Sequence, residues 1–409
     1  MTFALPGRRV RLNPRDPGVF NDPYRAYAEI HDASPVFFWE DYGFWCFARH
    51  ADVSALLRDR RFGRQITHLM SRAELGLPEP KPHLQPFEAL ERHSILELEP
   101  PEHTRLRNLV NRAFVSRRIE KLGPRIAALA HARIDAFAAR ASADLVAEFA
   151  APIPVAVIAD LLGVPRAMGS ELVDWSHRMV AMYQFGVDRE VEERAAAAAR
   201  AFADFVRRFA RARRGDLGDD LISQLLIAES DGGRLSEDEL VATVILLLNA
   251  GHEATVQAIG NGVKTMLDEG VDPRLAFVDE SATGATVEEL LRFDPPLHLF
   301  TRYALEGVEF AGVRLNKGDR IGLLLGAANR DPERFPHPDA FDNARAPNPH
   351  VSFGAGIHFC VGAPLARLEL SVALPILFSR LPGLRLAEPP RYRDAFHFHG
   401  LEALEVRWG

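Results

Sequence analysis

The longest regular pattern of apolar positions in this chain runs from residue 240 to about 266, and it predicts one long helix. Ser236 and Glu239 stand before it in the arrangement of a capping box, which is typical of a helix start. At 1.5 Å per residue, the helix from this capping box to residue 266 is roughly 45 Å long. Polar and small residues at 249–255 interrupt the apolar pattern. We therefore expect another group to pack closely against the helix at that point.

The first hundred residues predict a hairpin followed by a long loop. Aromatic runs at 36–39 and 44–47 flank a turn that contains Gly43, which is the signal of a β-hairpin. Cys46 is then expected to be a core residue of the second strand. Several prolines exclude a long helix from 62–98, so this segment is expected to be irregular.

The middle of the chain, from 120 to about 228, has the pattern of successive helices. One of them is predicted to begin at Asp144, and the prolines after Ala150 interrupt it. The alanine run at 195–199 lies among arginines and predicts a strong helix on the outer surface. Short strands and turns follow at 307–325. The predicted fold is mainly α with a small β region.

Composition narrows the class of protein. The chain has 409 residues, of which 47% are hydrophobic, and no linker divides it, so we expect a single domain over 1–409. A net charge of −7 argues against a nucleic-acid binder. Two cysteines provide no disulfide framework. No apolar leader is visible and the apolar run at 244–248 is too short to span a membrane, so we expect a soluble, cytoplasmic protein without a membrane anchor.

The candidate chemistry centres on Cys360, within the peptide Phe-Gly-Ala-Gly-Ile-His-Phe-Cys-Val-Gly at 353–362. Its glycines permit backbone angles that other residues resist and a close approach to a flat group. Pro364 suits the first turn of the helix that follows. A thiol at a helix N-terminus is favoured as the thiolate, which is a nucleophile or a soft metal ligand. The alternative is that Cys360 is simply a small buried apolar residue.

This peptide resembles the haem-ligand loop of the cytochrome P-450 family, in which the cysteine thiolate binds the haem iron. The resemblance implies that Cys360 is the iron ligand, and that Phe353, Gly354, His358 and Gly362 contact the haem, with His358 at a propionate. It also implies one haem domain of the P-450 fold, with haem b between the long central helix and the cysteine-ligand helix. Microsomal relatives carry an N-terminal anchor, so the soluble bacterial type is the closer match.

Two further basic positions match the family. His103 and Arg107 lie four residues apart and share one face of a helix that is predicted to open after two prolines at 100 and 101. A solvated basic helix is the simpler interpretation. The resemblance implies that both residues bind a haem propionate, as does Arg302, because arginine can hold a carboxylate with two hydrogen bonds.

The polar stretch of the long helix resembles the oxygen-binding groove of the family, Ala-Gly-x-Asp/Glu-Thr. The resemblance implies that Ala250 contacts the haem and that Glu253 relays protons, with Gly251, Ala254 and Thr255 as the other catalytic candidates. An acid paired on the surface is the alternative for Glu253. Ala254 occupies the position of the usual threonine. Thr255 lies one residue later, about 100° around the helix. We therefore hypothesise that a substrate hydroxyl or an ordered water completes the relay.

Glu289 and Arg292 form a Glu-x-x-Arg sequence. Alone it is a weak signal, since such pairs are common on helix surfaces, and Thr286 with Glu289 could be an ordinary capping box. The resemblance implies instead that Glu289, Arg292 and Arg345 form a buried, structural ion network.

The resemblance implies a monooxygenase that activates O2 with electrons from a separate redox partner, a ferredoxin with its reductase. It would hydroxylate or epoxidise a mid-sized, largely apolar organic molecule. The candidate arginines for docking the partner are Arg105, Arg112, Arg117 and Arg118. The candidate pocket residues are Phe185, Val244, Leu248, Leu297, His298, Leu299, Phe300 and His397. The alternatives are a haem-thiolate enzyme that uses peroxide or performs a non-oxygenase reaction, a non-enzymatic haem-binding sensor, and a Cys/His hydrolase.

Overall fold

The computed structural model describes residues 2–5, 8–114, 119–228 and 233–409. Contacts between residues group these into two compact units. Unit 1 comprises Met1–Ile66, Ile126–Pro152 and Ala254–Gly409, and unit 2 comprises Thr67–Arg125 and Ile153–Glu253. The prediction of a single domain is not tested by this grouping and stays a prediction.

Helices account for most of the regular structure, as predicted. In chain order they are α1 (Pro17–Phe20), α2 (Tyr24–Ala33), α3 (His50–Leu56), α4 (Gln85–Glu91), α5 (Glu102–Ala113), α6 (Gly123–Phe137), α7 (Pro152–Leu162), α8 (Gly169–Val180), α9 (Arg189–Arg213), α10 (Leu221–Ile227), α11 (Glu237–Asp268), α12 (Pro273–Ala276), α13 (Glu280–Phe293), α14 (Leu325–Ala328) and α15 (Ala363–Arg380).

Among the described residues, the strands lie in unit 1. They are β1 (Thr2–Leu5), β2 (Arg9–Arg11), β3 (Val36–Trp39), β4 (Phe44–Phe47), β5 (Phe62–Gly63), β6 (Ser142–Asp144), β7 (Leu299–Ala304), β8 (Val308–Phe310), β9 (Val313–Leu315), β10 (Arg320–Leu324), β11 (Arg385–Leu386), β12 (Arg391–Tyr392), β13 (Leu401–Ala403) and β14 (Glu405–Arg407). The largest sheet has the order β1-β2-β3-β4-β10-β7-β5, and smaller sheets pair β11-β14-β6, β12-β13 and β8-β9.

The predicted hairpin is confirmed. β3 and β4 pair antiparallel, with Val36 opposite Phe47 and Trp39 opposite Phe44, and Gly43 in the turn has φ 74°. Cys46 is fully buried, as expected for a core position. One core cluster of unit 1 forms where α2 covers this sheet, with Tyr27 among its members.

Several boundaries differ from the prediction. Asp144 ends strand β6 instead of beginning a helix, and a π-helical turn at Val146–Ala150 precedes α7. Segment 62–98 contains the short helix α4. Pro86 does not prevent this helix, because it lies in the first turn, where the missing N–H removes no hydrogen bond. The alanines of α9 are buried against the rest of unit 2, so α9 is not simply a solvated outer helix.

The long helix α11 begins with the predicted capping box. The Ser236 N–H donates to Glu239 Oε2 at 2.8 Å, and the Glu239 N–H donates to Ser236 Oγ at 3.2 Å. By length and composition α11 could cross a membrane, a criterion that core helices also meet. We interpret it as a core helix, because 67% of its most apolar window is buried within the protein.

Candidate functional site

The Cys360 loop lies directly before α15 in unit 1. The Cys360 N–H donates to the Phe353 carbonyl oxygen at 3.0 Å, which ties the two ends of the loop together. Gly362 caps α15, and Pro364 lies in its first turn as predicted. Cys360 itself is exposed, so the interpretation as a buried apolar residue is wrong. The loop therefore presents a thiol at its surface, beside the start of a helix.

Two glycines make this loop possible. Gly354 and Gly356 have φ angles of 68° and 71°, in the left-handed region that favours glycine. A Cβ atom on Gly356 would lie 2.4 Å from the carbonyl oxygen of Leu57, which follows α3. The loop therefore packs its backbone directly against the end of α3, at a distance that only glycine permits.

Cationic side chains surround Phe300 on strand β7 of the same unit. The guanidinium carbon of Arg302 lies 4.7 Å from the centre of the Phe300 ring, and that of Arg64 lies 4.4 Å from it. Arg64 also donates to the Thr301 carbonyl oxygen at 2.9 Å. Arg302 is 1% exposed. The sequence analysis missed Arg64, because an arginine in an irregular segment carries no signal by itself.

His358 and Phe353 complete the loop. His358 ends a short 3₁₀ turn, Gly356–His358, and is half-buried. The guanidinium carbon of Arg367, one turn into α15, lies 4.6 Å from the centre of the Phe353 ring.

Arg367 in turn binds both carboxylate oxygens of Glu288, at 2.6 and 2.8 Å. Although burial opposes it, the hydrogen bonds from Arg367 and His350 lower the pKa of Glu288 to about 2. The motifs gave no indication of this second ionic group behind the loop.

Glu289, Arg292 and Arg345 lie together, as the motif resemblance implies. Arg292 donates to both carboxylate oxygens of Glu289 at 2.7 and 2.8 Å, and Arg345 Nε lies 3.2 Å from each of them. Glu289 and Arg292 are fully buried. The capping-box alternative is wrong, because Thr286 lies inside α13, and Asp279 caps that helix by accepting from the Ala282 N–H.

The polar stretch of α11 is helical throughout and has two distinct faces. Ala250 is exposed and Ala254, one turn later, is half-buried. Thr255 is 5% exposed, so its side chain lies on the buried face and not on the face of Ala250. A Cβ on Gly251 would lie 3.2 Å from Ile158 Cδ1 of α7, which explains the small residue by helix packing within unit 2.

Glu253 is buried beside two histidines of unit 2. Its Oε2 lies 3.2 Å from His177 Nε2 of α8 and 3.8 Å from His252 Nε2. Its side chain is 5% exposed, so the alternative of a surface acid is wrong. The partner His177 was missed, because it lies 76 positions earlier on another helix, in no motif.

His103 and Arg107 lie one turn apart on α5 in unit 2. His103 is 2% exposed and Arg107 is half-buried, so the shared face of the helix is the inner one. A solvated basic helix is therefore wrong for His103.

The predicted pocket residues belong to both units. Val244 and Leu248 are buried in unit 2, and Phe185 there is 38% exposed. In unit 1, Leu297 and Phe300 are half-buried at the margin of a core cluster. His397 is half-buried, and burial, with the guanidinium groups of Arg64 and Arg320, lowers its pKa to about 3.

Two predicted pocket residues face the core instead. His298 is fully buried, and its Nδ1 lies 2.7 Å from the Tyr27 hydroxyl. Burial also lowers the pKa of His298 well below its usual value. Leu299 is 2% exposed and belongs to the same core cluster as Tyr27. The strand alternation of β7 places Leu299 inward and Phe300 toward the margin.

The comparisons with known proteins decide the family. The family model described as Cytochrome P-450 matches residues 78–269 and 282–382. The chain is 42% identical over 373 residues to cytochrome P-450 107B1 of Saccharopolyspora erythraea, covering 89% of each protein. The chain belongs to the cytochrome P-450 family. It is also 36% identical to 6-deoxyerythronolide B hydroxylase of the same organism, covering 94% of this chain and 96% of that protein.

The P-450 fold is confirmed by solved structures. The crystal structure of P450BioI in complex with an acyl carrier protein ligated to hexadec-9Z-enoic acid superposes with a TM-score of 0.89 at 32% identity. It covers 96% of this chain and 100% of that chain. The protein is a bacterial-type P-450 monooxygenase, and haem b is the cofactor of this family.

The residues of unit 1 fit such a cofactor. Cys360 offers an exposed thiol, the soft ligand that haem iron accepts in this family. On either side of His358, Ile357 and Phe359 are 36% and 40% exposed, which provides apolar surface for a porphyrin face. The guanidinium of Arg302 and the imidazole of His358 suit carboxylate groups.

Proposed function

We propose that this P-450 monooxygenase hydroxylates or epoxidises a mid-sized, largely apolar organic substrate, with Cys360 as the iron ligand and 1–409 as one haem domain. The observation that carries the proposal is the exposed thiol of Cys360, set in a loop whose glycines hold its backbone against α3. When bound, haem b supplies the redox chemistry that activates O2 and transfers one oxygen atom.

The chain's own residues hold and orient the cofactor. His358 and Arg302, with His103 and Arg107 of α5, are proposed to bind the propionates, because each offers N–H donors to a carboxylate. Phe353, Gly354, Gly362 and, on α11, Ala250 are proposed to contact the macrocycle. Glu289, Arg292 and Arg345 are proposed to keep the chain before the loop in place, since the one carboxylate pairs with both guanidinium groups.

Proton delivery is proposed to pass through Glu253. This carboxylate is buried in the polar stretch of α11, and it has His177, whose side chain is 51% exposed, at 3.2 Å. Protons can therefore reach Glu253 from solvent by way of an imidazole. The burial of Thr255 on the other face of α11 does not favour it as a substitute for the missing alcohol. We therefore keep the proposal that a substrate hydroxyl or an ordered water stands at Ala254.

Electrons are proposed to come from a separate donor, a ferredoxin with its reductase, in the cytoplasm. Of the docking candidates, Arg105 already donates hydrogen bonds to the Glu239 carboxylate and to the Arg234 carbonyl oxygen. Arg112 is exposed and stays a candidate, while Arg117 and Arg118 lie outside the described residues.

The proposed substrate class rests on this chain and its relatives. Leu297 and Phe300 are apolar and half-buried, and His397 is neutral at physiological pH because its pKa is about 3. The relatives include a hydroxylase named for 6-deoxyerythronolide B and a P-450 solved with a fatty-acyl carrier protein. The fatty-acyl group in the second of these supports a substrate that is largely apolar.

The test is the absorption spectrum of the reduced protein with carbon monoxide. Wild type and the control Cys46→Ala are expected to show the strongly red-shifted Soret band of a thiolate-ligated haem, and Cys360→Ser is expected to lose it. A red-shifted band that survives in Cys360→Ser would overturn the assignment. Spin-state shifts with candidate substrates, followed by turnover with a ferredoxin and its reductase, then test the substrate class and the donor.

A second candidate function is peroxide-driven oxidation. The observation that favours it is Ala254 in the place of the usual threonine. Product formation with hydrogen peroxide alone, at a rate equal to or above that with the electron donor, would support this candidate. The buried acid Glu253 favours the O2-dependent reaction, because that reaction needs protons to be delivered.

A further inference from the structure

Three side chains of unit 2 converge on one point where α8 and α11 pack together. They are His177 of α8 with His252 and Glu253 of α11, which we call the His–Glu cluster. Glu253 Oε2 lies 3.2 Å from His177 Nε2 and 3.8 Å from His252 Nε2, and the imidazole ring centres are 5.6 Å apart. All three ligand atoms lie within 4.8 Å of one another.

The separations match a tetrahedral metal site. Zinc binds histidine nitrogen and carboxylate oxygen at about 2.0–2.2 Å, so neighbouring ligand atoms on a tetrahedron are about 3.3 Å apart. The separation of 3.2 Å already has this value, and that of 3.8 Å needs a shift of about 0.5 Å. The third separation, between the two imidazole nitrogens, is at most 4.8 Å, and a shift of the 51% exposed His177 side chain would shorten it.

The orientation of His252 also suits a metal ligand. Its Nδ1 lies 3.0 Å from the Leu248 carbonyl oxygen, which can only accept, so Nδ1 carries the hydrogen. In the neutral ring, Nε2 then carries the lone pair, and Nε2 is the atom on the side of Glu253. Metal-binding histidines commonly donate their other N–H to a backbone carbonyl in this way, which holds the ring in place.

A second cluster of two histidines and one carboxylate provides a contrast. Asp294, His298 and His399 of unit 1 also have ligand atoms within 4.8 Å of one another. However, Asp294 accepts from the hydroxyls of Tyr24 and Tyr392 at 2.5 and 2.8 Å and pairs with His399 Nδ1 at 2.9 Å. All three members are also buried, whereas the His177 side chain of the His–Glu cluster is 51% exposed. Water therefore has access to the His–Glu cluster through His177.

We propose that His177, His252 and Glu253 form a binding site for a divalent transition-metal ion of the Zn²⁺ class, with water in the fourth position. Two imidazoles and one carboxylate with an open position are a donor set that such ions accept. A bound ion occupies Glu253. If Glu253 relays protons as proposed above, the ion therefore inhibits turnover reversibly, a consequence that rests on the proposed function.

The test is calorimetric titration of Zn²⁺ into the haem-loaded enzyme, without a polyhistidine tag and after removal of trace metals. The variants are His177→Ala, which changes an exposed side chain, and the control His68→Ala, which removes another exposed histidine of unit 2. We expect one zinc ion per wild-type and His68→Ala chain, and at least about 10-fold weaker binding for His177→Ala. Glu253→Gln is expected to weaken binding similarly, and its carbon monoxide spectrum verifies that it has folded.

The proposed site would be overturned if wild type and His177→Ala bound zinc with equal affinity. It would also be overturned if wild type did not bind one zinc ion per chain. Turnover with the electron donor is then measured with and without Zn²⁺, each variant against its own zinc-free rate, and with reversal by a chelator. We expect inhibition of wild type and His68→Ala but not of His177→Ala. Zinc that binds through His177 and leaves wild-type turnover unchanged would retain the metal site and overturn the relay role of Glu253.

Discussion

The substitution Glu289→Gln is expected to destabilise the protein strongly although it changes neither size nor shape. Glu289 is fully buried and accepts from Arg292 at 2.7 and 2.8 Å and from Arg345 at 3.2 Å. It also accepts from the Asp342 N–H at 3.0 Å and from Asn348 Nδ2 at 3.1 Å. Glutamine keeps one acceptor oxygen, places an N–H₂ group among these donors and removes the negative charge.

The expected cost follows from the uncompensated charges. Removing one partner of a buried ion pair typically costs about 3–5 kcal/mol. Arg292 keeps hydrogen bonds to the carbonyl oxygens of Asn329 and Pro338, at 2.8 and 2.9 Å, which still stabilise its charge in part. We therefore expect the lower end of that range, about 3 kcal/mol, for the loss in free energy of unfolding.

Urea unfolding, followed by far-ultraviolet circular dichroism and by the Soret band, measures this change. The matched control is Glu280→Gln, the same substitution at an exposed position in the first turn of α13, with an expected cost below about 1 kcal/mol. If the free energies of unfolding of Glu289→Gln and Glu280→Gln differ by less than about 1 kcal/mol, the three charges do not depend on one another and the reasoning fails.

Three further outcomes are expected. Gly356→Ala should lower the haem-to-protein ratio, because its Cβ would lie 2.4 Å from the Leu57 carbonyl oxygen. The control Gly76→Ala should not lower it, because Gly76 has a similar φ of 63° and a Cβ there would have no atom within 4 Å. Equal haem-to-protein ratios in the two variants would contradict this prediction. Burial raises the pKa of Glu369 well above its usual value, so the folded state retains the proton. Stability should therefore fall by about 1.4 kcal/mol per pH unit above the unfolded pKa, and Glu369→Gln should remove this fall in urea titrations at pH 5 to 7, whereas an unchanged slope would count against it. Ala254→Thr should leave the ratio of product to hydrogen peroxide unchanged with the true substrate, and a large gain in coupling would refute the proposed relay.

Local signals in the chain were sufficient for the elements that depend on neighbouring residues. The capping box at Ser236 and Glu239 forms because its partners are three residues apart, and the hairpin forms because its turn contains Gly43. The Cys360 peptide was recognisable because most of its pattern lies within ten consecutive positions. Such arrangements need no knowledge of which distant segments meet.

Positions whose environment is set by distant contacts were predicted less well. The alternation along β7 turns Leu299 into the core, and His298 packs against Tyr27, which lies 271 positions earlier. Their apolar or aromatic character is compatible with a pocket and with a core alike. Whether such a residue lines a pocket or lies in the core depends on which elements cover the strand, and this cannot be predicted from a local sequence pattern.

The sequence by itself determined the family, the choice of Cys360 as the candidate iron ligand and the starts of α11 and α15, since each is encoded in contiguous residues. Only the tertiary structure decided that Cys360 is exposed, that Arg367 binds Glu288 behind the Cys360 loop, and that His177 stands beside Glu253. The physical reason is that the charge, burial and ligand geometry of a side chain arise from groups brought together by folding. His177 and Glu253 lie 76 positions apart in the chain and 3.2 Å apart in the protein.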